Sequence, residues 1–203
     1  MQFFGFPDFC PPASLLELDT YRGVDPLDMF PLFLKKVADI IAPKLSVIFR
    51  WLIRLRSFPE CWRSAKVIAI PKGAPSPDKE NYRPISITPI LSMVYEKLVS
   101  HKLSSFCEKD GLMPAAQCAY RKSLAHTDAL LTLSHHLQKS LNAGMESYVV
   151  QLDFSVPYDR VGYSGHLFKF KSIGVGGSVL PFIQRVVVDG AASEWIPIIL
   201  GVP

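Results

Sequence analysis

Two cations flank a polar turn between apolar segments of the chain. Lys72 stands in Ile-Pro-Lys-Gly and Arg83 in Asn-Tyr-Arg-Pro. An arginine offers a rigid bidentate fork and a lysine a mobile point charge, so together they suit a polyphosphate. Pro71 and Pro84 restrict the backbone beside each cation. A surface turn with two solvated cations would show the same residues, so both interpretations stay open on residue type alone.

A single aspartate follows the apolar run Val149-Val-Gln-Leu-Asp153. A carboxylate at the end of a buried strand is costly unless it is paired or binds a metal, and it can hold Mg²⁺ together with substrate phosphates. Tyr158 lies five residues further on and could return over the same pocket. The alternative is that Asp153 caps a turn. A two-metal site would need a second carboxylate from elsewhere.

Positive charge is concentrated in the middle of the chain. Residues 31–122 hold sixteen Lys and Arg against seven Asp and Glu, whereas residues 1–30 hold one against five and residues 123–203 five against six. A basic middle is what a phosphate-binding surface requires. A solvated basic face would give the same balance.

Composition limits the class of protein. Hydrophobic residues make up 49% and charged residues 20%, which is typical of a globular chain. No apolar run approaches the roughly 18 residues that span a bilayer, and the N-terminus lacks the basic start of a secretory signal. The four cysteines are widely spaced, so neither a disulfide framework nor a zinc site is expected. We expect a nuclear or cytoplasmic protein that is not secreted and has no membrane partner.

Periodicity and capping residues predict a mixture of helices and short strands, which favours an α+β fold. The three tryptophans are expected in the core. Thr88 and Thr127 are expected to cap helices, and Gly144 to end the second of them. The predicted elements are helices near 31–41, 43–56, 89–108, 128–143 and 164–172, strands at 65–70, 148–154, 185–188 and 195–200, and an irregular lead-in over 1–26.

Seven stretches, taken in order, resemble the reverse transcriptase domain of non-LTR (LINE-like) retrotransposons. The combination of NYRPIS with a distant LDFS-x-x-[FY]D is the specific part of the resemblance. The stretches are SFPECWRSAKVIAIPKG, NYRPISITPILSMVYEKLV, FCEKDGLMPAAQCAYRKSLAHTDALL, VVQLDFSVPYDRV, FKSIGVGG, RVVVDGAASEW and the terminal GVP.

The resemblance implies roles for four residues in nucleotide binding and catalysis. Lys72 and Arg83 match fingers residues that contact the phosphates of the incoming nucleotide. Asp153 matches the first metal-binding aspartate of the polymerase palm, which holds Mg²⁺ in the complete enzyme. Tyr158 matches the aromatic gate that collides with a ribose 2′-OH and so favours deoxynucleotides.

The resemblance also implies a domain organisation and a set of partners. Gln117, Tyr120 and Arg121 fall in a block that the family places near the template. The implied architecture is a polymerase right hand, with a helical fingers-type region over 27–145 and a partial palm over 146–203. The implied partners are an RNA template, a DNA primer and a dNTP.

Departures from the family pattern keep alternatives open. The family's paired-aspartate turn has no counterpart in these 203 residues, and Pro157 stands where the family usually has alanine. The chain is also shorter than the family pattern between Leu180 and Arg185. We therefore expect a reverse transcriptase fragment that is inactive alone. The alternative is a non-catalytic nucleic-acid-binding remnant or a degenerate copy of such an element.

Overall fold

The computed structural model describes residues 11–21, 23–75, 77–152, 162–176, 180–181 and 183–184. The described chain is rich in helices and carries one antiparallel hairpin. Its elements are α1 (Pro11–Leu16), α2 (Pro31–Lys36), α3 (Ala38–Arg54), β1 (Lys66–Pro71), β2 (Tyr82–Ile87), α4 (Ile90–Lys109), α5 (His126–Asn142) and α6 (Tyr163–Ser172). None of the described helices is long and apolar enough to cross a membrane. The broad α+β prediction is confirmed.

The core lies where α1 packs against α3 and α4. An aromatic cluster occupies its centre. Phe49 and Tyr95 have ring centroids 4.8 Å apart, and Trp62 meets Phe58 edge-on at 5.7 Å. Offset and edge-to-face aromatic pairs add stability beyond the area that they bury. This cluster joins α3, α4 and the segment between α3 and β1 into one core.

The irregular lead-in predicted over 1–26 is corrected by α1. Pro11 lies at its start, where a helix needs no N–H donor. Leu15 is fully buried and Leu18 nearly so. Leu18 lies two residues beyond the end of α1, so the helix and the turn after it are both buried against the core, and this burial orders the stretch.

The predicted helix boundary at Pro43 is wrong, because the break comes at Val37 and Pro43 lies inside α3. A proline at this position removes the hydrogen bond to the Asp39 carbonyl and costs about 3 kcal/mol. Continuing the helix nevertheless places one apolar stripe against the core, and its burial outweighs that cost. The buried stripe consists of Ala38, Ala42, Leu45, Phe49 and Ile53.

The strand expected at 65–70 is confirmed as β1, but its partner β2 was not predicted. The two strands pair antiparallel from Lys66↔Ile87 to Pro71↔Tyr82. Residues 82–87 contain Pro84, which argues against a strand when sequence alone is considered. The ladder accepts that proline because Pro84 occupies a position that makes no hydrogen bond between the strands.

The N-cap predicted at Thr88 is also corrected. Pro89 occupies the N-cap position of α4 with no side-chain cap of its own. The Ile90 N–H instead donates to Asp25 Oδ2 at 2.7 Å. The side chain of Asp25, 65 residues upstream, thus caps α4 in place of the expected local threonine.

The helix expected at 128–143 begins two residues earlier, at His126, so Thr127 is not its cap. Asp128 Oδ2 accepts a hydrogen bond from the Ala125 N–H at 2.6 Å. The predicted end at Gly144 is confirmed. Gly144 has a φ of +70°, and Met145 N–H donates to Ser140 O at 2.9 Å. This is the Schellman arrangement that glycine permits.

Two further expectations have different outcomes. Residues 148–152 are not a strand, since they form no ladder with any residue that the structure describes. The helix expected at 164–172 is confirmed as α6. Of the tryptophans expected in the core, Trp62 is buried but Trp51 is 53% exposed. Trp195, like the strands expected beyond residue 184, lies outside the described residues.

Candidate functional site

The hairpin of β1 and β2 brings the two predicted phosphate-binding cations together. Arg83 pairs with Ile70 in the ladder, and the Lys72 N–H donates to Asn81 O at 2.7 Å, one step beyond the last ladder pair. Side chains two residues apart along a strand lie on the same face. Lys72 and Arg83 are therefore diagonal neighbours on one face, about 7–8 Å apart at the backbone.

The two prolines fit the ladder because of its alternation. In an antiparallel pair, hydrogen-bonded and non-hydrogen-bonded positions alternate. The bond from Lys72 to Asn81 makes the positions of Pro71 and Pro84 non-hydrogen-bonded. Neither proline removes a bond between the strands, and both instead lie on the outward edges, where a missing N–H discourages pairing with another chain. The prolines thus fix the backbone beside each cation at little cost.

The two cations are held differently. Lys72 Nζ donates to Glu80 O at 2.7 Å, so its side chain folds over the turn. An ammonium has three N–H donors, and two remain for an anion. Arg83 is exposed and makes no ion pair with any described residue. The site thus presents one positioned point charge beside one uncommitted guanidinium fork.

Three isoleucines also lie on the face that carries these cations, with Lys66 at its far end. Ile68, Ile70 and Ile85 lie on it by register and are 41–46% exposed. Apolar area of this kind beside two cations can receive a ligand that combines an anionic end with a flatter, less polar part. In the sequence, alternation over residues 66–70 indicates that Ile68 and Ile70 share a face. That Ile85 lies on the same face follows only from its pairing in β2, a strand that was not predicted.

The predicted template residues lie in the loop between α4 and α5. Arg121 forms a bidentate pair with Glu108, with Nε to Oε1 at 2.8 Å and Nη2 to Oε2 at 2.7 Å. Its Nη1 also donates to Pro114 O at 3.2 Å and Gln117 O at 3.3 Å. The guanidinium therefore fastens the loop to the end of α4. Its role near the template stays a prediction, and its donors are largely committed within the chain.

Two neighbouring features mark the same loop. Tyr120 is 56% exposed and has a φ of +58°, a left-handed conformation that non-glycine residues seldom adopt. Gln117 is half-buried, and its Nε2 donates to Ala119 O at 3.3 Å. The hydrogen bond from Arg121 holds the pKa of Glu108 below its usual range, so the pair is charged at neutral pH. Backbone strain at Tyr120 persists because the clamp over-determines the loop.

Glu108 was not singled out by sequence reasoning. It lies thirteen residues before Arg121, on the last turn of α4, and no local spacing rule joins the two. The predicted site residues thus form two groups. Lys72 and Arg83 meet on the hairpin, whereas Gln117, Tyr120 and Arg121 share the loop after α4.

Asp153 and Tyr158 lie outside the described residues, as does Pro157. The described residues contain no group of three or more His, Cys, Asp or Glu side chains that could hold a metal ion. A lone aspartate does not supply the donor set that a divalent cation needs. The Mg²⁺ expected at Asp153 stays a prediction.

Comparison with known proteins supplies relatives for most of the chain. No protein-family model matches it. The probable RNA-directed DNA polymerase from transposon BS of Drosophila melanogaster is 27% identical over 130 residues, which is 64% of this chain and 14% of that protein. The RNA-directed DNA polymerase from mobile element jockey of the same species is 28% identical over 167 residues, 78% of this chain and 18% of the relative.

A further relative extends the match. The putative 115 kDa protein in type-1 retrotransposable element R1DM of Drosophila melanogaster is 25% identical over 184 residues, 83% of this chain. The chain spans less than a fifth of the length of these relatives. The relatives independently support the resemblance that the ordered motifs carry. Over most of its length the chain is thus similar to RNA-directed DNA polymerases of retrotransposons.

Proposed function

We propose that the chain forms the fingers and part of the palm of an RNA-directed DNA polymerase of the non-LTR class, acting in retrotransposition. The observation that carries this proposal is the placement of Lys72 and Arg83 on one hairpin face. The resemblance assigns both residues to the same triphosphate, and the strand register makes them neighbours although ten residues separate them.

In this proposal the hairpin binds and orients the incoming dNTP. The Arg83 guanidinium donates two parallel N–H bonds to phosphate oxygens, and the Lys72 ammonium neutralises charge beside them. Holding the triphosphate in one orientation lowers the entropic cost of aligning its α-phosphate with a primer 3′-OH. Tyr158 would exclude a ribose 2′-OH by contact. Mg²⁺ would supply charge neutralisation at the reacting phosphate when bound.

The remaining assignments belong to the same proposal. Residues 27–145 would be the fingers-type region and residues 146–203 the partial palm. Gln117, Tyr120 and Arg121 would lie near an RNA template, with a DNA primer completing the substrate. The protein would act in the nucleus or cytoplasm.

A segment exchange tests the proposal. The stretch of the jockey polymerase that matches this chain is replaced by the corresponding residues of this chain, and primer extension on an RNA template is measured. We expect extension that Asp153→Asn abolishes. A soluble, folded chimera without extension, even after Pro157→Ala restores the residue usual in the family, would contradict the proposal.

A second candidate is a non-catalytic nucleic-acid-binding remnant. The excess of nine positive charges over residues 31–122 favours it. Both candidates expect no extension by the 203-residue chain alone, since it carries only the first of the family's metal-binding aspartates. The chimera separates them, because a remnant whose palm residues have decayed would not support extension there.

A further inference from the structure

The outward side of α3 carries aromatic and basic side chains that no described element covers. We name it the α3 outer face and define it by Lys44, Ile48, Trp51, Arg54 and Leu55, with Arg50 at its edge, one turn before Arg54. These residues recur at intervals of three and four, so they share one side of the helix, opposite the buried stripe. Each of them is exposed. The face is separate from the nucleotide-binding hairpin of the proposed function.

Trp51 is the central side chain of this face and is 53% exposed. A tryptophan carries a large apolar area, and exposing half of it on a helix that anchors the core is costly unless something covers it. Trp62, in the same region of sequence, is 7% exposed within the aromatic cluster. Trp51 is therefore exposed because of its place on the outward side of α3, and not because tryptophans in this region are generally exposed.

The charge around Trp51 has one sign. Arg50 precedes it and Arg54 lies one turn beyond Arg50, at about 6 Å along the axis, with Lys44 about 9 Å away in the other direction. Residues 40–59 contain four Lys and Arg and no Asp or Glu. Lys44, Arg50 and Arg54 make no ion pair with any described residue. The face is thus complementary to a polyanion.

We infer that the α3 outer face binds single-stranded RNA, with a base stacked on Trp51 and flanking phosphates on Arg50 and Arg54. Single-strand-binding proteins join a basic track to aromatic side chains in this way, because every base has a face that can stack. A duplex hides those faces within its own stack. The choice of RNA over other single strands rests on the proposed function.

The test is a titration of the full chain with a 20-nucleotide unstructured RNA that carries a fluorescent label. RNA anisotropy reports binding anywhere on the protein. Tryptophan emission in a Trp195→Phe background reports Trp51 and the buried Trp62. We expect saturable quenching with the same midpoint as the anisotropy change. Trp51→Leu should remove the quenching and weaken binding by roughly 5- to 150-fold.

Two matched controls locate the effect. Phe168→Leu removes an aromatic ring that is 72% exposed on α6 and should leave the affinity unchanged. Arg50→Ala with Arg54→Ala should reduce the log–log salt slope by about 1.4, whereas Lys97→Ala, on α4, should leave it unchanged.

The outcomes separate the two proposals. RNA binding by anisotropy without Trp51 quenching, or an equal affinity of Trp51→Leu and the parent, would overturn the inference and leave the proposed function intact. An α3 outer face that bound an acidic protein helix would give that result. Absence of RNA binding by either measurement would count against both.

Discussion

The carboxylate of Asp25 accepts hydrogen bonds from three backbone N–H groups and joins the start of α4 to a segment 65 residues upstream. Oδ2 accepts from Ile90 at 2.7 Å, and Oδ1 accepts from Leu27 at 2.8 Å and Met29 at 2.9 Å. Asp25 is 6% exposed. One side chain thus satisfies an orphan donor of α4 and fixes the turn that leads into α2.

Asp25→Ala should lower the free energy of unfolding by about 3 kcal/mol, because a cap is lost and buried N–H groups are left without acceptors. Asp25→Asn should recover part of the loss. Urea unfolding followed by circular dichroism measures the change. Asp39→Ala removes an exposed acid from the first turn of α3 and should cost at most about 1 kcal/mol. Equal effects of the two alanine variants would show that the cap is not specific.

The clamp of Arg121 on Glu108 gives a second prediction. Arg121→Lys should loosen the loop nearly as much as Arg121→Ala, because an ammonium cannot reproduce the bidentate pair and the bonds to the Pro114 and Gln117 carbonyls together. Amide hydrogen exchange over residues 112–124 measures it, with faster exchange expected in both variants. The exposed neighbour Lys122→Ala should leave exchange unchanged. Full protection in Arg121→Lys would mean that charge alone holds the loop.

A half-buried carboxyl on α4, that of Glu96, makes stability depend on pH. Desolvation raises the pKa of Glu96 to about 7, against an opposing hydrogen bond from Ser92 Oγ. Between about pH 4.5 and 7 the folded state therefore binds more protons than the unfolded state, so this group's contribution to stability falls as pH rises. Glu96→Gln should be more stable than the parent at pH 8, by up to about 3 kcal/mol, and nearly equal at pH 4.5.

Urea unfolding of parent and Glu96→Gln at several pH values checks this. Glu108→Gln is the matched control, since the pKa of that exposed carboxyl is lowered by Arg121 and its stabilising contribution is lost at low pH. A difference between parent and Glu96→Gln that stays constant from pH 4.5 to 8 would contradict the burial of an ionising carboxyl.

The predicted aromatic gate differs from the cations in its expected effect. In the jockey chimera, Tyr158→Ala should admit ribonucleotides while changing dNTP incorporation little, because the proposed role is steric. Tyr158→Phe is the control, since it keeps the ring and should keep sugar discrimination. Unaltered discrimination in Tyr158→Ala would show that the residue has been assigned wrongly, whatever the family of the chain.

Local signals in the sequence predicted what local interactions decide. Gly144 ends α5 because a left-handed residue is needed there, and glycine is the residue that adopts it freely. The β-prone residues of 65–70 likewise predict a strand, and β1 occupies Lys66–Pro71. Motif order likewise identified Lys72 and Arg83 as one site, but only the register of β2 makes them neighbours.

Long-range contacts decided what the sequence could not predict. Asp25 caps α4 in place of Thr88, and Glu108 forms a salt bridge with Arg121. No rule of sequence spacing predicts either contact. Trp51 has the composition of a core residue, yet α3 turns it outward because the stripe of Phe49 and its neighbours faces the core. Pro43 predicts a helix boundary through its local cost alone, but the burial of the α3 stripe against distant elements offsets that cost and the helix continues.

The most direct test of the central claim is the apparent KM for each of the four dNTPs in the jockey chimera and in its Arg83→Ala variant. Phosphates are common to all four nucleotides, so we predict that KM rises by a similar factor for each, roughly 10-fold or more for the loss of a charge-assisted bond. Arg83→Lys should recover only part of it. Unchanged KM values in Arg83→Ala, or a rise confined to one base, would contradict a hairpin that binds the triphosphate.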